Sequence, residues 1–237
     1  MKKCIIVVPT HTFELNDDQV MSLKQLLSFY HNKYIDIDIA IVYPNNLDIS
    51  ELKKYNISLD NIIKLKKDSY WFSSGLKYCE LCLDNEFYSP WVNKYEYMLI
   101  YQLDCFIFKD ELHYWCDKGY DYIGGFDCLW LHKYNLNGGF SLRKLSVFNE
   151  LTKQNINIYD YNKEMQFEDQ IFTSLIYPEN KSNIQIDDFV KFSINIYNYA
   201  HIAFFTLLKD ELPFGCHSFQ NSLEILNLCK NNINYQE

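Results

Sequence analysis

The sequence predicts an α/β protein built on a doubly wound sheet. Two observations carry this. Short, continuous apolar runs alternate with segments of helical period through the first hundred residues. No Pro/Gly-rich linker, repeat or low-complexity stretch interrupts the 237-residue chain, which has only 5 Pro and 7 Gly. That length suits a single domain that buries roughly 70–75% of its unfolded surface.

The elements follow in order. Ile5 to Val8 is the first buried strand, closed by Pro9. Two lysines precede it, but the run is too short for a signal peptide. Asn16-Asp17-Asp18 supplies an N-cap and an acidic first turn for a helix carrying Val20, Leu23, Leu27 and Tyr30. Ile37 to Tyr43 is a second strand, stopped by Pro44-Asn45-Asn46, and Asn61 to Leu65 a third. Ser73 or Ser74 caps a helix running to about Asp84. Tyr97 to Tyr101 is the most apolar run, hence a central strand. A short helix covers Glu111 to Asp117, and strands follow at Tyr120 to Ile123 and Phe140 to Leu142. Helices are expected around Leu145, Phe148 and Leu151, after Glu168-Asp169, and from Ser222 to Cys229. Strand–helix–strand order implies parallel pairing, and ligands of such sheets bind beyond the carboxyl ends of the strands.

Composition excludes several classes. The net charge is −9, with no Lys/Arg block to contact nucleic acid. The same charge argues against more than peripheral membrane association, and no run is long enough to span a bilayer. Eight scattered cysteines, with one CxxC at Cys79 and Cys82 on a helical stripe, read as packed thiols of a cytoplasmic protein. P-loop, GxGxxG, HExxH and GxSxG motifs are absent. Aromatic residues reach 17%, a source of stacking platforms or a consequence of biased composition.

Four segments are placed for chemistry. Asp104, after Tyr101-Gln102-Leu103, is either a hard-cation ligand at a strand end or the cap of the next turn. Asn137-Gly138-Gly139 is either a close backbone approach to a ligand or a tight turn into a strand. Glu168-Asp169 either caps a helix or provides a general base. His217, in a Pro213/Gly215 loop, is a metal ligand, a phosphate contact or a packed imidazole.

Taken in order, Tyr101-Gln102-x-Asp104, Tyr122-Ile123-Gly124, Asn137 to Lys144, Glu168-Asp169 and Pro213-Phe214-Gly215-x-His217 resemble a family regarded as glycosyltransferases, catalogued as a domain of unknown function and found in microbial surface-polysaccharide loci. Ser73 to Tyr88 and Ala200 to Phe205 are also family-like, and the resemblance spans about residues 4–220. It implies a GT-A-like fold: a Rossmann-type mixed sheet flanked by helices. Residues 1–104 would then form the nucleotide-binding half and 105–237 the acceptor-binding and catalytic half. Thr10, His11, Gln102, Asp104, Asn137, Gly138, Gly139 and Arg143 would bind the nucleoside-diphosphate sugar. Asp104 and His217 would hold Mn²⁺ or Mg²⁺, although Gln102 stands where the metal motif has its first acid. Glu168 or Asp169 would be the base, with inversion the expected outcome, and Arg143 or Lys144 would assist the leaving group. Trp71, Phe126 and Trp130, with Tyr70 and Trp91, would meet a glycan or glycolipid acceptor. The family's Gly-Ala-Pro-Trp is replaced by Gly124-Gly125-Phe126-Asp127, which implies altered specificity. A nucleotide-sugar pyrophosphorylase is disfavoured, because Pro9 to Phe13 lacks the Gly-rich basic loop. A non-catalytic sugar or nucleotide binding module and a plain interaction domain remain as rivals.

Overall fold

A computed structural model describes residues 1–126, 136–161, 167–178, 186–196 and 211–235, the side chains of positions 126, 186 and 187 excepted. The expected core strands are present. β1 (Lys2–Pro9) runs parallel to β2 (Ile37–Pro44) on one side and to β4 (Tyr95–Tyr101) on the other. β3 (Ile63–Lys67) pairs parallel with β2 at the sheet edge. The order β3-β2-β1-β4 therefore reverses direction at β1, and the crevice beyond β1 and β4 is the switch point.

Helix α1 (Asp17–Tyr30) forms where the sequence indicates, closed by a reciprocal Asn16–Gln19 capping box. Buried Ser22 donates to the Cys105 carbonyl at 2.6 Å and Gln25 to the Ile107 carbonyl at 2.8 Å, which pins α1 to strand β5 (Cys105–Ile107). Helix α2 (Gly75–Leu83) begins at Ser74, whose side chain accepts from the Lys77 amide. α3 (Asn85–Tyr88) and α4 (Leu112–Asp117) are short.

Beyond β4 the sheet becomes mixed. β7 (Leu136–Lys144) lies antiparallel between β4 and β6 (Tyr122–Phe126). β8 (Ser193–Asn195), β9 (Gly215–His217) and β5 complete the order β4-β7-β6-β8-β9-β5. The helices α5 (Leu145–Thr152), α6 (Glu168–Ile176), α7 (Ile186–Phe192) and α8 (Leu223–Asn231) complete the α-helices among the described residues. The result is the expected mixed α/β sheet flanked by helices.

Two expectations are corrected. Asn137-Gly138-Gly139 is not a turn before a strand but lies within β7. There the β6 register jumps from Gly124–Ser141 to Gly125–Asn137, so residues 138–140 arch out of that ladder. His217 sits not in a loop but on β9, a strand too short to carry a readable period-two pattern.

Among the described residues no helix is long and apolar enough to cross a membrane. The described cysteines are free and buried. Cys128, Trp130 and the 200–205 segment lie outside the described residues.

Candidate functional site

The ends of β1 and β4 open into a cleft of about 550 Å³. Thr10 and His11, leaving β1, form one wall, and Gln102, Leu103 and Asp104, leaving β4, form the floor. The Ser73-Ser74-Gly75 start of α2 closes the third side, with Tyr78 one turn further on. The volume is in the range of small-ligand sites.

Behind the floor, His217, which does not itself line the cleft, meets Asp104 with Nε2 3.3 Å from Oδ1. Gln102 Oε1 lies 3.3 Å from the same nitrogen. Nδ1 faces the other way, 2.9 Å from Asn195 Oδ1 and 3.0 Å from Ser218 Oγ. Ser218 Oγ in turn donates to Asp104 Oδ2 at 3.3 Å. Burial pushes the Asp104 carboxyl up, but the adjacent His217 and the Ser218 hydroxyl outweigh it and hold it below its ordinary value.

Gly139 makes this cluster possible. A Cβ there would lie 2.5 Å from Gln102 Oε1 and would overlap the His217 ring. Its carbonyl also accepts from the Gln102 amide at 2.9 Å, which locks the chain after β4 against β7.

The carboxylate pair sits on the other side of the same short segment. A Cβ on Gly138 would fall 2.7 Å from Glu168 Oε1 and 2.9 Å from Arg143 Nη2. The Gly138 amide donates to Asp169 Oδ2 at 3.0 Å, and the Gln170 amide to Asp169 Oδ1 at 2.7 Å. Glu168 and Asp169 are 6% and 8% exposed, so both are nearly closed off from solvent. Burial first, and the Glu168 charge second, push the Asp169 carboxyl up to about 7. The structure therefore joins Asp104 with His217 and Glu168 with Asp169, the two groups facing adjacent glycines of β7 rather than touching each other.

Arg143 does not face the cleft, which corrects its expected place as a donor contact. It is fully buried, with its guanidinium carbon 5.4 to 5.8 Å from the ring centres of Tyr122, Phe148 and Phe172. It donates to the Tyr88 hydroxyl at 2.7 Å and to the Gly138 carbonyl at 3.3 Å, and lies 3.5 Å from Glu168. Lys144 is also misplaced for a leaving group. It pairs in register with Tyr97, near the amino end of β4 and far from the cleft, and its ammonium is 3.7 Å from Asp121. Trp91 is 4% exposed and belongs to the core, not to a stacking surface. Tyr70 and Trp71 form an edge-on ring pair just before the residues that line the cleft. Asn137 spends its side-chain oxygen on the Gly139 amide at 2.8 Å. Trp130 and the Phe126 side chain lie outside the described residues.

Sequence reasoning missed Asn195 and Ser218. The polar alternation of Ser193 and Asn195 between Phe192, Ile194 and Ile196 was the available signal for a strand with one polar edge.

The donor set suits a hard divalent cation. With Nδ1 facing the Asn195 oxygen, Nε2 is the nitrogen turned toward the Asp104 and Gln102 oxygens, and the one that would offer a lone pair to a cation set among them. Cys105 is also near, but burial pushes its thiol well up, and the thiol donates to the Gly139 carbonyl at 3.2 Å. One imidazole, one carboxylate and one amide oxygen remain, a combination that fits Mn²⁺ or Mg²⁺.

A family model described as "Protein of unknown function (DUF5672)" matches residues 61–217. The chain belongs to this family. The DUF5672 segment runs from the turn before β3 to His217 and so contains Asp104, His217, Glu168 and Asp169, while Ser218 lies one residue beyond it. No curated protein matches the chain. The DUF5672 protein is similar in structure to the glycosyltransferase GlyE of Streptococcus pneumoniae TIGR4, with a TM-score of 0.56 and 14% identity over 92% of this chain and 55% of that one. It is similar to mouse xyloside xylosyltransferase 1, with a TM-score of 0.54 and 9% identity over 93% of this chain and 98% of that one. The bifunctional glycosyltransferase WbbM gives a TM-score of 0.54 and 10% identity over 91% of this chain and 45% of that one. The chain thus spans about half the length of GlyE and WbbM. These likenesses establish the GT-A-like fold.

Proposed function

We propose that this chain is a glycosyltransferase that moves a sugar from a nucleoside-diphosphate sugar to a hydroxyl of a glycan or glycolipid acceptor. Its place would be in surface-polysaccharide assembly, such as capsule or lipopolysaccharide synthesis. The observation that carries the reading is Asp104, which lines a cleft at the switch point of the sheet and is backed by His217 at 3.3 Å.

In this reading residues 1–104 hold the nucleotide, with Thr10 and His11 beside the base and Gln102 and Asp104 toward the diphosphate. Asp104, His217 and Gln102 would hold a Mn²⁺ or Mg²⁺ ion. Such an ion neutralises charge on a departing diphosphate. Gly138 and Gly139 bring backbone close to the donor sugar. Asp169 is the better base of the pair: its carboxyl is raised to about 7, close to working pH, while Glu168 lies against Arg143. It takes the proton of the acceptor hydroxyl as that oxygen attacks the anomeric carbon, a direct displacement that inverts the configuration. Trp71, one residue before Phe72 of the cleft lining, would stack on the acceptor. The free cysteines suit a reducing compartment such as the cytoplasm.

Calorimetry with a panel of nucleoside diphosphates, with and without Mn²⁺, tests the reading on the wild type and on Asp104→Ala. Binding that Mn²⁺ strengthens, and that the variant loses, is the expected result. Indifference to every nucleotide would refute it.

A second reading is a non-catalytic nucleotide-sugar or carbohydrate binding module. It is favoured by Gln102 in the place of an acid and by the seclusion of Asp169. Release of nucleoside diphosphate from a panel of sugar nucleotides separates the two, since only the enzyme turns its donor over.

A further inference from the structure

The cation site just described rests on an imidazole whose direction is set by groups that coordinate nothing themselves. His217 can offer Nε2 to a cation only if Nδ1 keeps a proton and the ring is held edge-on to Asp104. Asn195 lies beside His217 in the parallel β8–β9 ladder, is 4% exposed, and presents Oδ1 to Nδ1 at 2.9 Å. An amide oxygen accepts and cannot donate, so the proton belongs on Nδ1.

Ser218 supplies an independent observation. It has φ +58° and ψ 37°, the left-handed region that a non-glycine residue rarely occupies. That conformation places Oγ 3.0 Å from His217 Nδ1 and 3.3 Å from Asp104 Oδ2. The hydroxyl donates to the carboxylate and offers its lone pair to the Nδ1 proton. One side chain therefore spans both ligands, and backbone strain is retained in order to hold it there.

We infer that Asn195 and Ser218 are positioning residues that brace His217 and Asp104 as a preformed divalent-cation site. The inference rests on the metal reading proposed above. Neither residue reaches the cation. Asn195 fixes which ring nitrogen is free, and Ser218 fixes the carboxylate relative to the ring. Outer partners of this kind change metal affinity by roughly 10–100-fold when removed.

The test is Mn²⁺ binding to the full chain, followed by electron paramagnetic resonance and calorimetry with no sugar nucleotide present. Asn195→Leu should weaken Mn²⁺ by roughly 10-fold or more, whereas Asn195→Asp, which keeps an acceptor oxygen, should retain it. Ser218→Gly relieves the left-handed strain, so its denaturation midpoint should not fall, yet its Mn²⁺ affinity should. A merely structural serine would give the opposite pattern. The inference is overturned if Asn195→Leu or Ser218→Gly binds Mn²⁺ as tightly as the wild type, or if the wild type binds none. Nucleotide-sugar turnover is measured separately. Its absence alongside intact Mn²⁺ effects would sink the enzymatic reading and leave the brace standing.

Discussion

Replacing Asp169 by Asn should remove a pH dependence that the fold imposes on itself. The Asp169 carboxyl is raised from 3.8 to about 7, by burial first and by the neighbouring Glu168 charge second. An acid with a raised folded value binds more protons in the native than in the unfolded chain between those two pH values. Stability therefore falls as pH rises through that window. The effect is absent below pH 3.8 and complete above about 7. At 1.36 kcal/mol for each tenfold change in proton affinity, it reaches about 4 kcal/mol at pH 8 and under about 2 kcal/mol at pH 5. Asn carries no such titration. It does lose one of two accepted bonds, because the Gly138 and Gln170 amides each use a separate carboxylate oxygen. That loss costs about 1–3 kcal/mol at every pH, so the absolute stabilities can cross. The discriminating quantity is the change with pH. Urea unfolding at pH 5 and pH 8 should show the gap between wild type and Asp169→Asn moving in the variant's favour by roughly 2–3 kcal/mol. Parallel pH profiles for the two proteins would be the contrary result. They would mean that Asp169 ionises as an ordinary exposed carboxylate, and its assignment as a tuned base would fall with them.

Other perturbations follow from the same geometry. Gly139→Ala puts a methyl group against Gln102 Oε1 and the His217 ring; it should destabilise by about 1–3 kcal/mol in thermal or urea unfolding and weaken Mn²⁺ binding. Arg143→Met leaves Glu168 buried without its counter-charge, so a loss of about 3–5 kcal/mol is expected; adding Glu168→Gln should recover part of it, a coupling readable from a double-mutant cycle. Removing the α1 cap with Asn16→Ala should cost about 0.5–2 kcal/mol in thermal or urea unfolding, since it deletes the oxygen that accepts from the Gln19 amide.

Much of the site was legible because chemistry and strand ends leave local marks. Asp104 follows the most apolar run of the chain, and any carboxylate there must face the crevice of a parallel sheet. The Glu168-Asp169 helix start and the paired glycines were equally visible. Arg143 was misread for a physical reason. A basic residue next to a glycine-rich segment suggests an anion, yet here the long side chain doubles back along β7 to the Gly138 carbonyl and three aromatic rings. Nothing in linear order distinguishes an arginine that reaches out from one that folds under.

The amino-acid pattern alone determined the class of fold, the first four parallel strands, the capped helices and the polar residues at their ends, because hydrophobic period and capping act within a few residues. Pairing across the sheet decided the rest. The antiparallel insertion of β7 beside β4, the arch at Gly138-Gly139, and the alignment of the three-residue strands β8 and β9 depend on contacts between segments far apart in sequence. Those contacts bring Asn195 to His217 and Ser218 to Asp104, and place two glycines between the candidate cation ligands and the candidate base. Strands this short have no period of their own, so only the tertiary structure could assign their partners.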